Sequence, residues 1–342
     1  MTVRKRLFIA VLGIGAIVLG FAVRSRIVKV RAARLEHIAP PLPYFPAGAI
    51  WTQDISNAPL DPQSAATIAW LSNAGGWGRG RMQVDFSFRV LQASADTPEV
   101  PFRKGADWMD PDSDKLSVIP LPLSGGIEGQ QGYQCDIDQH DCHLLIVDRS
   151  QGKLYEAYQA NYSGNALRAN FVAVWDMNRV YPPSGRGDQC TSADAAGFPI
   201  APLLFNADEL ATGSINHAIR FILPNSRIRA GVFVHPATHA AKWEGPAAAP
   251  PMGARFRLKA SYDLSQLTPA AQVVARALQK YGMFLSDGGT IALTAQSDAD
   301  TQAKYEDVGF GSHDLQKLKV TDFEIVEHEP PIRLTFDCVR NR

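Results

Sequence analysis

The sequence predicts a mostly β fold: an antiparallel β-sandwich of jelly-roll type with one or two short packed helices. Three observations carry that expectation. Nine segments downstream of Met82 alternate apolar and polar residues with a period of two, and clusters of Gly, Pro, Asn and Asp separate them. β-Branched and aromatic residues dominate those segments, as suits a pleated, half-buried surface. Only one long segment has a clear helical period. Many strands with one apolar face each bury those faces most economically against a second sheet.

The chain has 342 residues, of which 46% are hydrophobic and 20% charged, a balance that buries a core and excludes extensive disorder. Lys plus Arg (34) equals Asp plus Glu (34), so no global field attracts a polyanion. No basic stripe interleaved with aromatics is present, and nucleic acid is not an expected partner.

At the N-terminus, Arg4, Lys5 and Arg6 precede an apolar run from Leu7 to Val23. The run is long for the ~7–15-residue core of a signal peptide and short for the ~20 residues of a spanning helix. Gly20 and Ala22 have the spacing a signal peptidase uses, but Arg24, Arg26, Lys29, Arg31 and Arg34 follow at once. Residues 1–23 therefore read as a signal anchor or signal peptide, with the uncleaved anchor favoured. Membrane contact is expected through this segment, with the bulk of the chain periplasmic or secreted. Residues 24–45 form a basic, Pro-rich linker, in which "HIAPPLPYFPAG" cannot propagate a helix. Residues 46–342 are expected to be a single β-rich domain.

"PLDPQSAATIAWLSNAG" predicts a short helix with Asp61 or Ser64 as cap, Ile68 and Leu71 on one face, and Gly75-Gly76 as its end. The Gly-rich "GGWGRGR" reads as a loop, because it lacks the strand–loop–helix context of a phosphate cradle. The strand candidates are "MQVDFSFRV", "HLLIVDR", "KLYEAY", "NFVAVWDM", "HAIRFIL", "AGVFV", "ARFRLKASYD", "TIALTAQ" and "RLTFDCV". In "LTPAAQVVARALQKYGMFL", Thr268 caps a helix, Pro269 occupies its first turn, and Val274, Leu278 and Tyr281 share a face before Gly282 stops it.

Cys135 and Cys142 bracket a short polar loop, "CDIDQHDC", whose ends can meet; Cys190 and Cys338 remain as a second possible pair. Four cysteines allow three connectivities, and all three remain open. Disulfides suit an exported chain, and the spacing does not suit zinc. No metal and no cofactor are expected.

Chemistry concentrates in a few places. In "ARFRLKASYD", Arg255, Arg257, Lys259 and Ser261 fall on one face, a cationic row suited to a carboxylate on a neighbouring strand or on a ligand. Arg257 and Lys259 are candidate substrate contacts on that ground. In "INHAIRF", alternation turns His217 inward with Ile219 and Phe221 and sets Arg220 on the polar face; both are candidate binding residues. His239 and Trp243 lie in the loop "VHPATHAAKWEG", one as a candidate base, the other as a sugar-stacking ring. "TSADAAG" reads as a tight turn with Gly197 at positive φ. The alternative makes Asp194 an acid, base or nucleophile on a loop. Glycoside hydrolysis needs two carboxyls, and Glu156, Asp176 and Asp287 are the candidate partners.

These segments also carry a resemblance. "TSADAAGFPIAP", "INHAIRF", "HPATH", "PPMGARFRLKASYDLS", "ALQKYGMFLSDGG" and Asp322-Phe323 look like an uncharacterised family of exported bacterial proteins often found beside carbohydrate-binding or immunoglobulin-like modules. "FPAGAIWTQDIS" and "HLLIVDRSQGKLYEAY" extend the likeness over roughly residues 45 to 325. The resemblance implies a secreted setting and an association with glycans, and transfers no catalytic role to any residue. The lead-in "SGRGDQC" with Cys190 departs from the family pattern.

The expected function is that of an exported or envelope-anchored carbohydrate-active protein, a glycoside hydrolase acting on a polysaccharide or oligosaccharide. One alternative is a polysaccharide lyase, in which Arg or Lys neutralises a uronate while His239 or Tyr262 abstracts a proton. Another is a non-catalytic glycan-binding or envelope-interaction module.

Overall fold

Thr268, Pro269 and Gly282 set the ends of the longest helix in the order the sequence predicts. In a computed structural model that describes residues 42–242 and 244–341, the Thr268 hydroxyl accepts from Ala271 N, Pro269 opens the helix and Gly282 has φ +68°. Such a cap is worth about 1 kcal/mol. The helix (α3, Pro269–Lys280) buries Val274 and Leu278 completely. The first helix (α1, Ser64–Asn73) has neither expected side-chain cap. Asp61 Oδ1 instead accepts from Gln63 N in a local turn, and Ser64 Oγ accepts from Ile325 N, a tertiary contact. A short helix that the periodicity did not predict (α2, Ala207–Thr212) starts with a capping box between Asn206 and Glu209 and ends at Gly213, φ +79°.

Sixteen strands occur among the described residues. The first four are β1 (Val84–Phe88), β2 (Val90–Ala93), β3 (Glu99–Lys104) and β4 (Val118–Pro120). Next come β5 (Leu144–Asp148), β6 (Lys153–Tyr158), β7 (Asn161–Ser163), β8 (Ala166–Ala169) and β9 (Phe171–Asp176). After α2 follow β10 (Ile219–Leu223), β11 (Val232–Phe233) and β12 (Arg255–Leu258). The last four are β13 (Met283–Gly288), β14 (Leu293–Gln296), β15 (Phe323–Ile325) and β16 (Ile332–Arg333).

The protein is mostly strand with few helices, and its sheets are mixed. The largest has the order β1-β14-β10-β13-β12-β15, with β1·β14 and β10·β13 parallel. A second, β2-β5-β6-β9, pairs β2 with β5 in parallel; a third, β4-β3-β8-β7, pairs β3 with β8 in parallel. The strands predicted as uniformly antiparallel therefore include parallel pairs. Long connections are the reason: nearly sixty residues, including α3, separate β10 from β13, ample for a crossover.

The sheet β2-β5-β6-β9 is covered on both faces. Leu145 and Val147 of β5 join the large core with Phe221, Phe256 and Leu278, while Leu144 and Ile146 join a smaller core with Phe102 and Leu167. Burial on both faces explains why "HLLIVD" reads as a continuous apolar run. Full burial contributes roughly 1.5–3 kcal/mol per large aliphatic or aromatic side chain.

Two disulfides form, Cys135–Cys142 and Cys190–Cys338, which selects one of the three connectivities and is consistent with an oxidising, extracytoplasmic compartment. The predicted signal or anchor over 1–23, the linker up to residue 41 and Trp243 lie outside the described residues. Among the described residues, no helix is long and apolar enough to cross a membrane.

Candidate functional site

The turn Thr191–Gly197 joins three buried polar groups. Ser192 Oγ lies 3.0 Å from Asp194 O and receives Asp194 N at 2.9 Å, which closes the turn locally. Gly197 is required where the chain bends back: its φ is +84°, and a Cβ there would meet Thr238 Oγ1 at 2.0 Å. With the backbone fixed, Ala193 O accepts from His143 Nε2 (2.9 Å), Ala195 O from His239 Nδ1 (2.9 Å), and Asp194 Oδ1 from Arg220 Nη2 (2.7 Å). The segment is thus a turn, and its carboxylate is also the anchor of a buried charge network.

Arg220 stands on β10 in the middle of the largest sheet, 2% exposed, rather than on a solvated polar face. Its Nη1 donates to Thr294 Oγ1 at 3.0 Å, and its Nη2 also lies 3.5 Å from Asp287 Oδ2. Asp287 reaches that position through a bulge. Phe221 pairs with Leu285 but Ile222 pairs with Asp287, so Ser286 is an extra residue in β13. A second bulge interrupts β1 between Asp85 and Phe88.

These bulged segments border an open cleft. Two adjoining cavities of about 540 and 220 Å3 share Asp85, Glu128 and Asp141. The larger is walled by the disulfide-closed loop, including Asp138 and His140; the smaller reaches His143, Arg220 and Asp287. The Phe88 ring lies between the two buried cations, 5.2 Å from the Arg220 guanidinium and 5.2 Å from the His143 ring.

Geometry fixes the protonation of His143. Nδ1 lies 2.6 Å from Glu128 Oε2 and Nε2 2.9 Å from Ala193 O. An ionised carboxylate and a carbonyl only accept, so both ring nitrogens donate and the ring is an imidazolium. Burial opposes that charge, but the Glu128 carboxylate outweighs it and pushes the pKa up to about 9. Glu128 also resists the cost of burial: the imidazolium and the Ser87 hydroxyl, 3.0 Å away, hold its carboxyl below the usual range.

Asp194 and Asp287 behave oppositely. Burial pushes the Asp194 carboxyl up to about 7, against the pull of Arg220, and the Asp287 charge adds to the rise. Burial raises Asp287 as well, again opposed by Arg220. One guanidinium cannot fully neutralise a buried and a half-buried carboxylate, so both carboxyls stay above the usual range and titrate together. Asp194 has the short bond to Arg220 and a side chain with 0% exposure, whereas the Asp287 side chain is 28% exposed toward the cleft. Of the two carboxyls, Asp287 is the one open to the cleft.

The other sequence candidates lie elsewhere. Glu156 is buried in β6, pushed up to about 7 by burial, and accepts from Ile200 N, Ala201 N and Trp175 Nε1; it fastens the segment after the turn and does not line the cleft. Asp176 is exposed at the end of β9 and holds Asn178 N. His239 packs edge-on to Phe336, and burial lowers its pKa, so it is neutral and outside the cleft. His217 does point inward, where it donates to Ala218 O and lies 3.2 Å from Glu209 in an ion pair rather than a directed hydrogen bond.

Arg257 is 8% exposed and pairs with Glu324, directly opposite it on β15, and with the carbonyls of Ile55 and Ala58. The carboxylate that relieves the cationic row is thus on a neighbouring strand. β12 ends at Leu258, and Lys259 donates to Thr321 O in a separate surface cavity with Tyr262.

Glu128, His143, Asp85 and Asp141 were not singled out from sequence. The available signals were a Glu among glycines in "GGIEG" and a His heading the apolar run "LLIVD". Among the described residues, no group of three His, Cys, Asp or Glu is arranged to hold a metal ion. No protein-family model, no curated protein and no solved structure matches the chain.

Proposed function

We propose that the protein is an exported hydrolase that cleaves a glycan by acid–base catalysis in the cleft between β1, β13 and the Cys135–Cys142 loop. The observation that carries this reading is a pair of carboxyl groups driven apart in acidity within one cleft. Asp287 is raised by burial beside Asp194, and Glu128 is held ionised by His143. Two carboxyls with opposed environments divide the roles of glycoside hydrolysis. Asp287 protonates the leaving glycosidic oxygen. Glu128 stabilises the positive charge that develops at the anomeric carbon, and a water adds to that carbon, its proton passing to the Asp287 carboxylate left by the first step. Asp194 and Arg220 act through Asp287 as positioning residues.

An assay of reducing-end release on a panel of polysaccharides tests the reading. Asp287→Asn should lower turnover at least a hundredfold with an unchanged melting profile. Full activity in that variant, or no hydrolysis of any glycan by the wild type, sinks it.

Lyase chemistry on a uronate has weaker support. Lys259 and Tyr262 share a cavity with Lys317 and Lys319, but burial and two aspartates push the Tyr262 hydroxyl up, opposite to the need of an abstracting base.

A further inference from the structure

We propose that Ser87 is a positioning residue of this cleft: Asp85 and Glu128 share its one hydroxyl proton, and turning it to Asp85 bares Glu128 Oε1 as positive charge develops on the sugar. This rests on the hydrolase reading of the same site. Ser87 Oγ lies 3.0 Å from Asp85 Oδ2 and 3.0 Å from Glu128 Oε1. A hydroxyl has one proton to donate and an ionised carboxylate only accepts, so the two oxygens compete for it. Because the distances are equal, the O–H turns from one to the other with no heavy atom moving and no bond to hydrogen broken.

Each carboxylate is fixed through its other oxygen. Glu128 Oε2 lies 2.6 Å from His143 Nδ1, and Asp85 Oδ1 accepts from Ser87 N at 3.0 Å. The Glu128 loop is laid against β1 by its backbone: Gly129 N donates to Ser87 O at 3.0 Å, and Glu128 N to His143 O at 2.9 Å. Asp85 and Glu128 line both cavities and Ser87 the larger, so the shared proton sits where a substrate enters. A hydrogen bond offsets part of the charge on the oxygen that accepts it. With Ser87 turned to Asp85, the whole charge of Oε1 faces the anomeric carbon, a gain made only in the transition state. Asp85 receives the bond that Glu128 gives up, which offsets the cost of unmaking it.

The charged groups facing Glu128 are His143, Arg220, Asp85 and Asp141. The test follows the Glu128 carboxyl by carbon-13 NMR titration, and kcat and KM on a cleaved glycan, in the full chain and in Ser87→Ala, Asp85→Asn and the double variant. Ser87→Ala should raise the Glu128 midpoint, and the acid limb of kcat/KM with it, by about 0.5 pH unit. Asp85→Asn offers Ser87 a weaker acceptor and leaves the proton on Glu128. It should lower the midpoint by about 0.5 pH unit more when Ser87 is present than when residue 87 is alanine. It should also lower kcat about tenfold with KM changed less, and adding Ser87→Ala should recover most of that loss. Equal midpoint shifts in the two backgrounds, or a deeper kcat loss in the double variant, overturn the inference. Should Ser87→Ala not fold, Ser87→Cys, a weaker donor, gives the same comparison. Hydrolysis with no coupling through Ser87 would overturn the inference and keep the hydrolase. Coupled titrations with no glycan cleaved by the wild type would support the shared proton and remove the hydrolase.

Discussion

Arg220 Nη2 lies 2.7 Å from Asp194 Oδ1 and 3.5 Å from Asp287 Oδ2, so one buried guanidinium holds together a turn and a bulged strand that are almost a hundred residues apart. Removing a buried cation leaves its carboxylates unpaired, at a cost of about 3–5 kcal/mol. Arg220→Met should lose that much stability at pH 8 in urea unfolding. The loss should be smaller at pH 5, because both carboxyls already favour protonation in the folded state. A loss independent of pH would show that the guanidinium serves packing alone.

If Asp287 delivers the proton, the alkaline limb of kcat/KM reports the shared titration of the Asp194–Asp287 pair and should fall near pH 7. Asp194→Asn removes a negative neighbour and leaves Arg220 wholly to Asp287. Both changes favour ionised Asp287, so the limb should move to lower pH. A limb that stays in place would separate Asp287 from the protonated species.

Some of this arrangement was legible in the sequence, for physical reasons that differ from residue to residue. The cap and stop of α3 are local chemistry: Thr268, Pro269 and Gly282 act on their own backbone, and the sequence displays them directly. His217 is buried as the alternation had it, but it precedes β10 and Arg220 is buried as well, so alternation did not separate the two. Asp194 was legible as a candidate, but its partner was not, because the bulge at Ser286 shifts the register by one residue and brings Asp287 to Arg220. Strand β13 itself lay hidden behind Gly282, at the end of a segment whose helical pattern dominates. Glu128 and His143 become a pair only when the loop around Gly129 meets the start of β5, a contact with no period to betray it. The parallel pairings depend on crossovers, and no strand's composition records its neighbour's direction.

His143 should be doubly protonated in solution at pH 7.5, with both ring nitrogens showing the nitrogen-15 shifts of an imidazolium in NMR. Its folded pKa of about 9 exceeds the ordinary value of 6.5, so the stabilisation it gives is complete below about pH 6.5 and is lost as pH rises through about 9. Glu128, shifted down, adds stability above its ordinary range that is lost as pH falls through its lowered value. His143→Gln should therefore cost about 3 kcal/mol near pH 6 and progressively less toward pH 10. A neutral ring at pH 7.5 would contradict the donor assignment.

The two disulfides should separate stability from function. Cys190–Cys338 spans 148 positions and ties the C-terminal segment to the residue before the Asp194 turn, whereas Cys135–Cys142 spans 7. Loop-closure entropy gives roughly 5 kcal/mol for the long bridge and roughly 2.5 kcal/mol for the short one. Replacing Cys190 and Cys338 by Ser should thus cause the larger fall in melting temperature. Replacing Cys135 and Cys142 frees the cleft wall that carries Asp138, His140 and Asp141, so its main effect should be a several-fold rise in KM with kcat changed less. Asp287, on β13 across the cleft, keeps its own supports in either variant. Calorimetry and steady-state kinetics on the two double variants check both halves. An unchanged KM after loss of the short bridge would remove the loop from the substrate site.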